Sequence, residues 1–137
     1  MRNRMVMLSL LLTGCITTTA PIAIHYEVLD NPEEGRIEFP YQNTSRDTMC
    51  LLPEHWPNEA GKINQASDRV RLIVDHERFP IENFNTGYCL QGCAVRVAPG
   101  ETVRAFISYK DFNLPAELAN EPKALDFEPV AFKCPEN

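Results

Sequence analysis

Apolar side chains in this chain recur at every second position. The alternation is clearest over residues 103–109, and it is also present over residues 22–28 and 37–41. Successive side chains of a β-strand point to opposite faces, so a period of two is typical of strands with one buried face. The sequence has no sustained period of 3.6, which would indicate amphipathic helices. The chain is therefore predicted to be all-β.

Turn-forming residues divide this pattern into short strands. Gly, Pro, Asn and Asp occur over residues 31–35, 43–47 and 98–101, where tight turns are expected. About seven or eight strands result, as is typical of an antiparallel sandwich of two sheets. Pro40 cannot donate a hydrogen bond to a neighbouring strand, so its strand is expected to lie at an edge or to be broken there. Further strands are expected over residues 48–52, 70–74, 95–97 and 125–134, the last interrupted near Glu128-Pro129.

Two turn motifs carry a resemblance to known folds. Asn43-Thr44-Ser45 precedes an apolar strand, and the run Val-Ala-Pro-Gly-Glu-Thr-Val occupies residues 97–103. Both resemble turns of immunoglobulin-like bacterial sandwiches, and especially of the small β domain that precedes the catalytic domain in deuterolysin-like metalloendopeptidases. The resemblance spans residues 37–110. It implies an immunoglobulin-like fold and carries over no catalytic residue.

The first fifteen residues are ordered like an export signal. Two arginines precede an apolar run over residues 5–12, which is too short to span a bilayer. The next motif, Leu12-Thr13-Gly14-Cys15, resembles the lipobox of bacterial lipoproteins. That resemblance implies cleavage before Cys15, diacylglycerol on its thiol and acylation of the new amino terminus. The alternative is an ordinary export signal followed by a cysteine by chance.

The lipobox divides the chain into three parts. Residues 1–14 are the expected signal peptide, residues 15–21 carry the lipid and a short tether, and residues 22–137 form a single β domain. Ile16 stands where enterobacterial lipoproteins of the inner membrane have Asp, so the same resemblance favours the outer membrane, facing the periplasm. The inner membrane and the cell surface are the alternatives. The six residues after Cys15 reach at most about 20 Å, so the domain is expected close to the lipid surface.

Charge narrows the choice of partners. Loss of the two leader arginines lowers the net charge from −6 to −8. A domain this acidic is a poor ligand for nucleic acid, whereas basic proteins and metal cations remain candidate partners. The alternative is that the charge serves only to keep the domain soluble.

Four cysteines remain after Cys15, and an even number in an oxidising compartment predicts two disulfides. Three pairings are possible. The favoured one joins Cys89 to Cys93 as a local clasp and Cys50 to Cys134 as a long staple. A zinc site is the competing interpretation, but the spacing lacks the usual paired CxxC motif.

The sequence lacks a recognisable catalytic constellation. His76-Glu77 opens the zinc-protease motif HExxH, but Pro80 stands where the second histidine is needed and would stop a helix. The pair is therefore expected in a polar strand end and turn. A G-x-S-x-G nucleophile motif and a cluster of glycines for phosphate binding are also missing. The chain is therefore predicted to be non-enzymatic, without a cofactor or a bound metal.

Two loops are candidates for partner contact. Trp56 lies between prolines in a stiffened loop beside His55, and Trp is enriched among residues that dominate interface energetics. The alternative is that Trp56 folds back to plug one end of the sandwich. Tyr88, Leu90 and Gln91, at the predicted Cys89–Cys93 clasp, form a second candidate surface. The alternative is that the clasp only stabilises a hairpin.

Together these observations predict an envelope lipoprotein that acts as a protein-binding or structural module. The alternative is a periplasmic inhibitor or immunity protein against a hydrolase, because many such hydrolases are basic and opposite charge speeds association. An enzyme or a metal carrier is the third hypothesis.

Overall fold

The structure is a computed structural model. It describes residues 20–64, 69–85 and 92–136. The predicted leader, Cys15, Tyr88, Cys89 and Leu90 lie outside these residues. Among the residues described, no helix has the length and apolarity that crossing a bilayer requires.

The prediction of an all-β antiparallel fold is confirmed. Ten strands are present in the described ranges, every pairing between them is antiparallel, and the helical elements are two short 3-10 turns, Tyr109–Phe112 and Ala116–Leu118. The strands are β1 (Ile22–Ala23), β2 (Leu29–Asn31), β3 (Arg36–Gln42), β4 (Met49–Leu51), β5 (Arg71–Val74), β6 (Glu77–Pro80), β7 (Val95–Val97), β8 (Thr102–Ser108), β9 (Lys123–Asp126) and β10 (Val130–Lys133).

The strands form three hydrogen-bonded sheets within the described residues, in the orders β1-β10-β4-β7, β2-β3-β8 and β6-β5-β9. The sequence pattern predicts fewer strands in two sheets. One difference is that residues 22–28 are not a single strand: β1 ends at Ala23 and pairs with β10, whereas β2 begins at Leu29 and pairs with β3. The chain crosses between two sheets here, and one straight strand cannot serve both. Another difference is β6, which forms where the pattern predicts only a strand end and a turn.

The longest pairing joins β3 to β8 over seven residues each. In β3 the side chains of Ile37, Phe39 and Tyr41 are buried and their neighbours are not, which confirms the period of two. β2 pairs with β3 only as far as Glu38. Pro40 therefore lies where, among the described strands, β3 has a neighbour on one side only. The pairing with β8 continues through Pro40, which lies opposite Arg104, so the strand is not broken there.

Aromatic rings connect the sheets in the core. Phe39 is fully buried, and the ring centroids of Trp56, Tyr26 and Phe127 lie 5.2, 5.8 and 6.2 Å from its own. These three side chains come from three different connecting segments. Each edge-to-face pair adds about 0.5–1.5 kcal/mol to the gain from burial. Phe39 thus holds the loops onto the sheet that contains β3.

One of the two predicted disulfides is described and confirmed. Cys50 in β4 and Cys134 just after β10 are bonded, with their Cα atoms 5.1 Å apart and a separation of 84 positions in sequence. The strands already pair through Phe132 and Cys50, so the bond reinforces an existing ladder. Cys93 is disulfide-bonded as well, and its predicted pairing with Cys89 lies outside the described residues.

A buried carboxylate connects the loops around β8. Asp111 is 2% exposed, and its side chain accepts hydrogen bonds from Lys62 Nζ and, at 3.0 Å, from Asn83 Nδ2. Its main-chain carbonyl accepts from the N–H groups of Glu82 and Asn83 at 2.7 and 3.1 Å. A buried charge is tolerated only when it is paired and hydrogen-bonded, as this one is.

A candidate binding groove beside the first strand

Two hollows flank His25, where the amino-terminal segment passes the end of β3. The first has a volume of about 390 Å³ and is lined by residues 22–25 on one side and by residues 41–45 with Met49 on the other. The second, of about 550 Å³, is lined by residues 25–27, Pro40, Gln42 and Thr102. His25 and Gln42 belong to both. We call the two hollows together the His25 groove.

The amino-terminal wall of the groove is attached to the last strand. Ile22 and Ala23 pair with β10, and the N–H of Ile24 donates to the carbonyl of Pro129 at 3.3 Å. Further along, the hydroxyl of Tyr26 donates to the carbonyl of Phe127. Contacts at four residues therefore hold the segment in place. Two of these residues, Ile22 and Ala23, are paired in a β-ladder, and the other two, Ile24 and Tyr26, make single hydrogen bonds.

The opposite wall is a turn built around Asn43, which is fully buried. Its Nδ2 donates to the carbonyls of Asp47 and Val97, both at 2.8 Å. Its Oδ1 accepts from the N–H and the hydroxyl of Ser45 at 3.0 and 2.7 Å. Every polar atom of this side chain is thus satisfied, so the wall is preorganised.

Tyr41 lines the first hollow from the side of β3. The residue is 6% exposed, its ring packs edge-on against Trp56, and burial raises the pKa of its hydroxyl. The hydroxyls of Tyr26 and Tyr109 donate to the carbonyl of Phe127 and to Asp30. Among the described residues, no buried side-chain nitrogen or oxygen lacks a hydrogen-bond partner.

One acidic residue, Glu27, lines the second hollow. Burial, and then the nearby carboxylates of Asp126 and Glu128, raise the pKa of Tyr26, which lines the same hollow, to about 12. Arg104 lies opposite the lining residue Pro40 in the pairing of β3 with β8. The second hollow is therefore bordered by charges of both signs.

The structure corrects the prediction that Trp56 contacts a partner. Trp56 is 3% exposed, and its ring packs against Phe39 and Tyr41 with centroids 5.2 and 6.0 Å apart. A side chain buried this deeply offers no surface to a partner. The alternative interpretation, in which the indole folds back into the protein, describes what is found.

The other predicted contact residues lie away from the groove or outside the description. His55 is partly buried, with its ring centroid 6.5 Å from that of Phe132. Burial, and then the charge of Arg69, lower the pKa of His55. Tyr88, Leu90 and Gln91 lie outside the described residues, as does the lipidation site Cys15.

The His76-Glu77 pair lies in a hairpin. Asp75 and His76 connect β5 to β6 with φ values of 48° and 67°, the left-handed pair typical of a two-residue hairpin turn. This confirms the predicted turn and places the pair outside any helix. Within the described ranges, no three of His, Cys, Asp and Glu cluster as metal ligands, and no histidine side chain is hydrogen-bonded to a Ser or Thr hydroxyl.

Sequence reasoning missed the groove because neither wall looks unusual alone. Residues 22–25 match the pattern of an ordinary strand. The signal comes only with the fold: Ile22, which lines the first hollow, is a large apolar residue and is 53% exposed.

The fold and the groove define an all-β antiparallel protein with a groove beside its first strand. No family model, no curated protein and no solved structure matches the chain.

Proposed function

We propose that this chain is a non-enzymatic lipoprotein of the bacterial envelope that binds a protein partner through the His25 groove. The anchor is the acylated Cys15, and the location is the periplasmic face of the outer membrane. The observation that carries the proposal is the position of the groove. One of its walls begins at Ile22, the residue that follows the expected tether.

This position limits where a partner can be. The six residues between Cys15 and Ile22 reach at most about 20 Å, so the groove stays near the lipid surface. A partner bound there is itself in the membrane or next to it. A short tether also raises the effective concentration of membrane partners, which favours a binding module over a freely diffusing one.

An immunoglobulin-like arrangement of the strands is part of the proposal. Contacts between the two turn motifs that carry the resemblance support it. The N–H of Asn43 donates to the carbonyl of Glu101 at 2.9 Å, and the N–H of Gly100 donates to the carbonyl of Asn43 at 2.7 Å. Asn43 Nδ2 reaches Val97 in the same motif. The two motifs therefore act as one interlocked unit.

The experiment compares two photo-crosslinking positions in living cells. Benzoylphenylalanine is placed at Gln42, which is exposed and lines both hollows, or at Glu33, an exposed turn residue at the opposite end of β3. The protein should incorporate labelled palmitate and fractionate with the outer membrane, and the Cys15→Ala variant should do neither. A specific crosslink is expected from position 42 and not from position 33. Unlabelled protein in the soluble fraction, or equal crosslinking from both positions, contradicts the proposal.

Charge favours inhibition of a basic hydrolase as a second candidate. The net charge falls to −8 once the leader is removed, and opposite charge speeds association with a basic enzyme. A panel of lysozymes, amidases and proteases active in the periplasm is assayed with the purified protein. Inhibition that weakens steeply as salt is added supports this candidate, and unchanged rates across the panel exclude it.

A further inference from the structure

We propose that the partner contributes an extended segment that pairs with the free edge of β1 and adds a strand to the sheet β1-β10-β4-β7. The inference rests on the proposed function, because it names the part of the partner that the His25 groove holds. Main-chain N–H and carbonyl groups at a sheet edge recognise an extended polypeptide, and side chains beside them add specificity.

The hydrogen bonds of β1 show which of its main-chain groups are free. Ile22 and Ala23 pair with β10, and the N–H of Ile24 donates to the carbonyl of Pro129 at 3.3 Å. In an antiparallel pair, the main-chain groups of alternate residues point to the same neighbour. Since the N–H of Ile24 points toward β10, the N–H and carbonyl groups of Ala23 and His25 point to the opposite side. Among the described residues, these groups have no hydrogen-bond partner.

This free edge borders the groove. Ala23 and His25 both line the first hollow, and His25 lines the second as well. The facing wall of the first hollow is the turn around Asn43, and a volume of about 390 Å³ is open between the two walls. Ala23 and His25 are themselves exposed. The described part of the chain therefore leaves the edge accessible to a ligand.

β1 also lacks the protection that the other edge strands have. Within the described residues the outer strands of the three sheets are β1 and β7, β2 and β8, and β6 and β9. Five of these six contain charged residues: Asp30 in β2, Glu77 and Arg78 in β6, Arg96 in β7, Arg104 in β8, and Lys123 and Asp126 in β9. Charged side chains and prolines on an edge disfavour pairing with a further strand. Residues 22–25, Ile-Ala-Ile-His, contain no Asp, Glu, Lys, Arg or Pro.

The side chains of the same segment indicate the pattern of the ligand. Ile22 is 53% exposed, whereas Ile24 is partly buried and packs against the core. Side chains of an added strand alternate between two faces, so every second one would lie beside the two isoleucines. Apolar residues at those positions would cover surface that now faces water. The expected ligand therefore has apolar residues at alternate positions.

The test uses the full-length protein as cells produce it, with lipid-bearing material placed in phosphatidylcholine nanodiscs. A phage library of random linear heptapeptides is selected on it. A fluorescein-labelled synthetic peptide of the consensus is then titrated by fluorescence polarisation. The consensus should contain apolar residues at every second position.

The same peptide is resynthesised with one N-methylated amide at a time. Only every second N–H of an added strand faces its neighbour. N-methylation at alternate residues should therefore weaken binding about tenfold, and N-methylation at the residues between them should leave the affinity unchanged. This readout needs no variant of the protein, so it does not depend on how a substitution affects folding.

Matched variants then locate the binding at β1. Ala23→Pro removes an N–H that points away from β10, so it should weaken binding about tenfold. The control Ala23→Val keeps that N–H and suits a strand, so it should bind as the wild type does. Ile22→Ser should weaken binding severalfold by removing apolar contact, and the control Leu29→Ser, at an exposed residue of β2, should not. Circular dichroism and melting curves confirm that each variant is folded.

Three results overturn the inference. The first is the absence of an enriched peptide. The second is a peptide whose binding responds equally to N-methylation at every position. The third is a dimer in sedimentation velocity that Ala23→Pro abolishes, with no peptide bound, which would assign the edge to a second copy of this chain.

The crosslink in cells separates this inference from the proposed function. Ala23→Pro should remove the crosslink from position 42, and Ala23→Val should keep it. A crosslink that persists in folded Ala23→Pro would leave the proposed function in place and reject only the added strand.

Discussion

Asn43 shows how one buried amide can organise a turn and a groove wall. It satisfies two carbonyls that come from different segments, those of Asp47 and Val97, and it receives two hydrogen bonds from Ser45. Thr and Ser are too short to replace both functions, and Asp would lose the donor. The Asn-Thr-Ser motif is therefore structural at its first residue.

Removal of this amide should be strongly destabilising. Asn43→Ala leaves two carbonyls without their donor in a buried place, so we expect a loss of about 2–4 kcal/mol in the free energy of unfolding, measured by urea titration. The matched control is Asn120→Ala, which changes an exposed Asn in a turn. A loss no larger than that of the control would contradict the structural role given to Asn43.

Gly61 is the glycine whose replacement the structure resists most clearly. It has a φ of 72°, and a Cβ there would lie 2.5 Å from Cε2 of Phe106. The Arg36 guanidinium lies over the same ring, 4.9 Å from its centroid. The Phe106 ring is therefore close to both Gly61 and Arg36.

Gly61→Ala should therefore cost more stability than the same change at Gly100. Gly100 has a φ of 79° but open space where a Cβ would be added, so Gly100→Ala carries only the left-handed penalty of about 1–2 kcal/mol. Gly61→Ala adds the displacement of Phe106. Thermal melts of both variants check the order, and equal shifts would show that the ring moves freely.

Tyr26 should make the free energy of unfolding depend on pH in alkaline solution. Burial, and then Asp126 and Glu128, raise its pKa to about 12, above the ordinary value of 10. Between these values the unfolded chain loses the phenolic proton and the folded chain keeps it, so stability present below pH 10 falls as pH rises toward 12. Since the side chain is only partly buried, we expect the loss of stability to be about 1–2 kcal/mol. Urea unfolding at pH 9 and pH 11 should show a smaller drop for Tyr26→Phe than for the wild type.

At the scale of single elements, the predictability of a strand depends on whether one sheet contains all of it. The period of two located β3 and β8 because each keeps one face on the core along its whole length. The same period failed over residues 22–28, where the chain leaves one sheet and joins another. The alternation of apolar residues indicates which side chains face the core, but it does not indicate which strand lies next to which.

The groove could not be predicted for a related reason. Its walls are residues 22–25 and 41–45, and the sequence says nothing about their distance in space. Trp56 was misplaced because the prolines around it indicate a stiff loop but not the side toward which its ring points. The Cys50–Cys134 pairing could be favoured beforehand because the close spacing of Cys89 and Cys93 suggested a local clasp.

The staple between β4 and β10 should make a large contribution to stability. In the chain-entropy description, closing a loop of 84 residues restricts the unfolded chain by about 4–5 kcal/mol. The double variant Cys50→Ala/Cys134→Ala should lose most of this amount, as judged by urea unfolding without reductant. The paired replacement avoids a lone thiol. A loss below about 1 kcal/mol would mean that the ladder between the strands suffices without the bond.

At the scale of the whole molecule, Asp111 connects segments that no ladder joins. It contacts Lys62 from one long loop and Asn83 from another, and it lies in the 3-10 turn that follows β8. Such a group ties separate segments into one cooperative unit.

Breaking this pair should destabilise the protein, and replacing both partners should cost less. Lys62→Met leaves a buried carboxylate without its cation, so we expect a loss of about 3 kcal/mol. The double variant Lys62→Met/Asp111→Asn removes both charges, so it should recover part of the stability that Lys62→Met loses. A double-mutant cycle measured by chemical denaturation gives the coupling. Additive losses would show that the two side chains do not act together.

The attachment of β1 also determines how the molecule responds to a pull at its amino-terminal end. Only two residue pairs join β1 to β10, whereas β10 is secured to β4 by both a ladder and a covalent bond. Force arriving along the backbone from residue 20 is thus resisted first by the weakest junction on its path. β1 would peel away from β10 while the cross-linked pair behind it stayed intact.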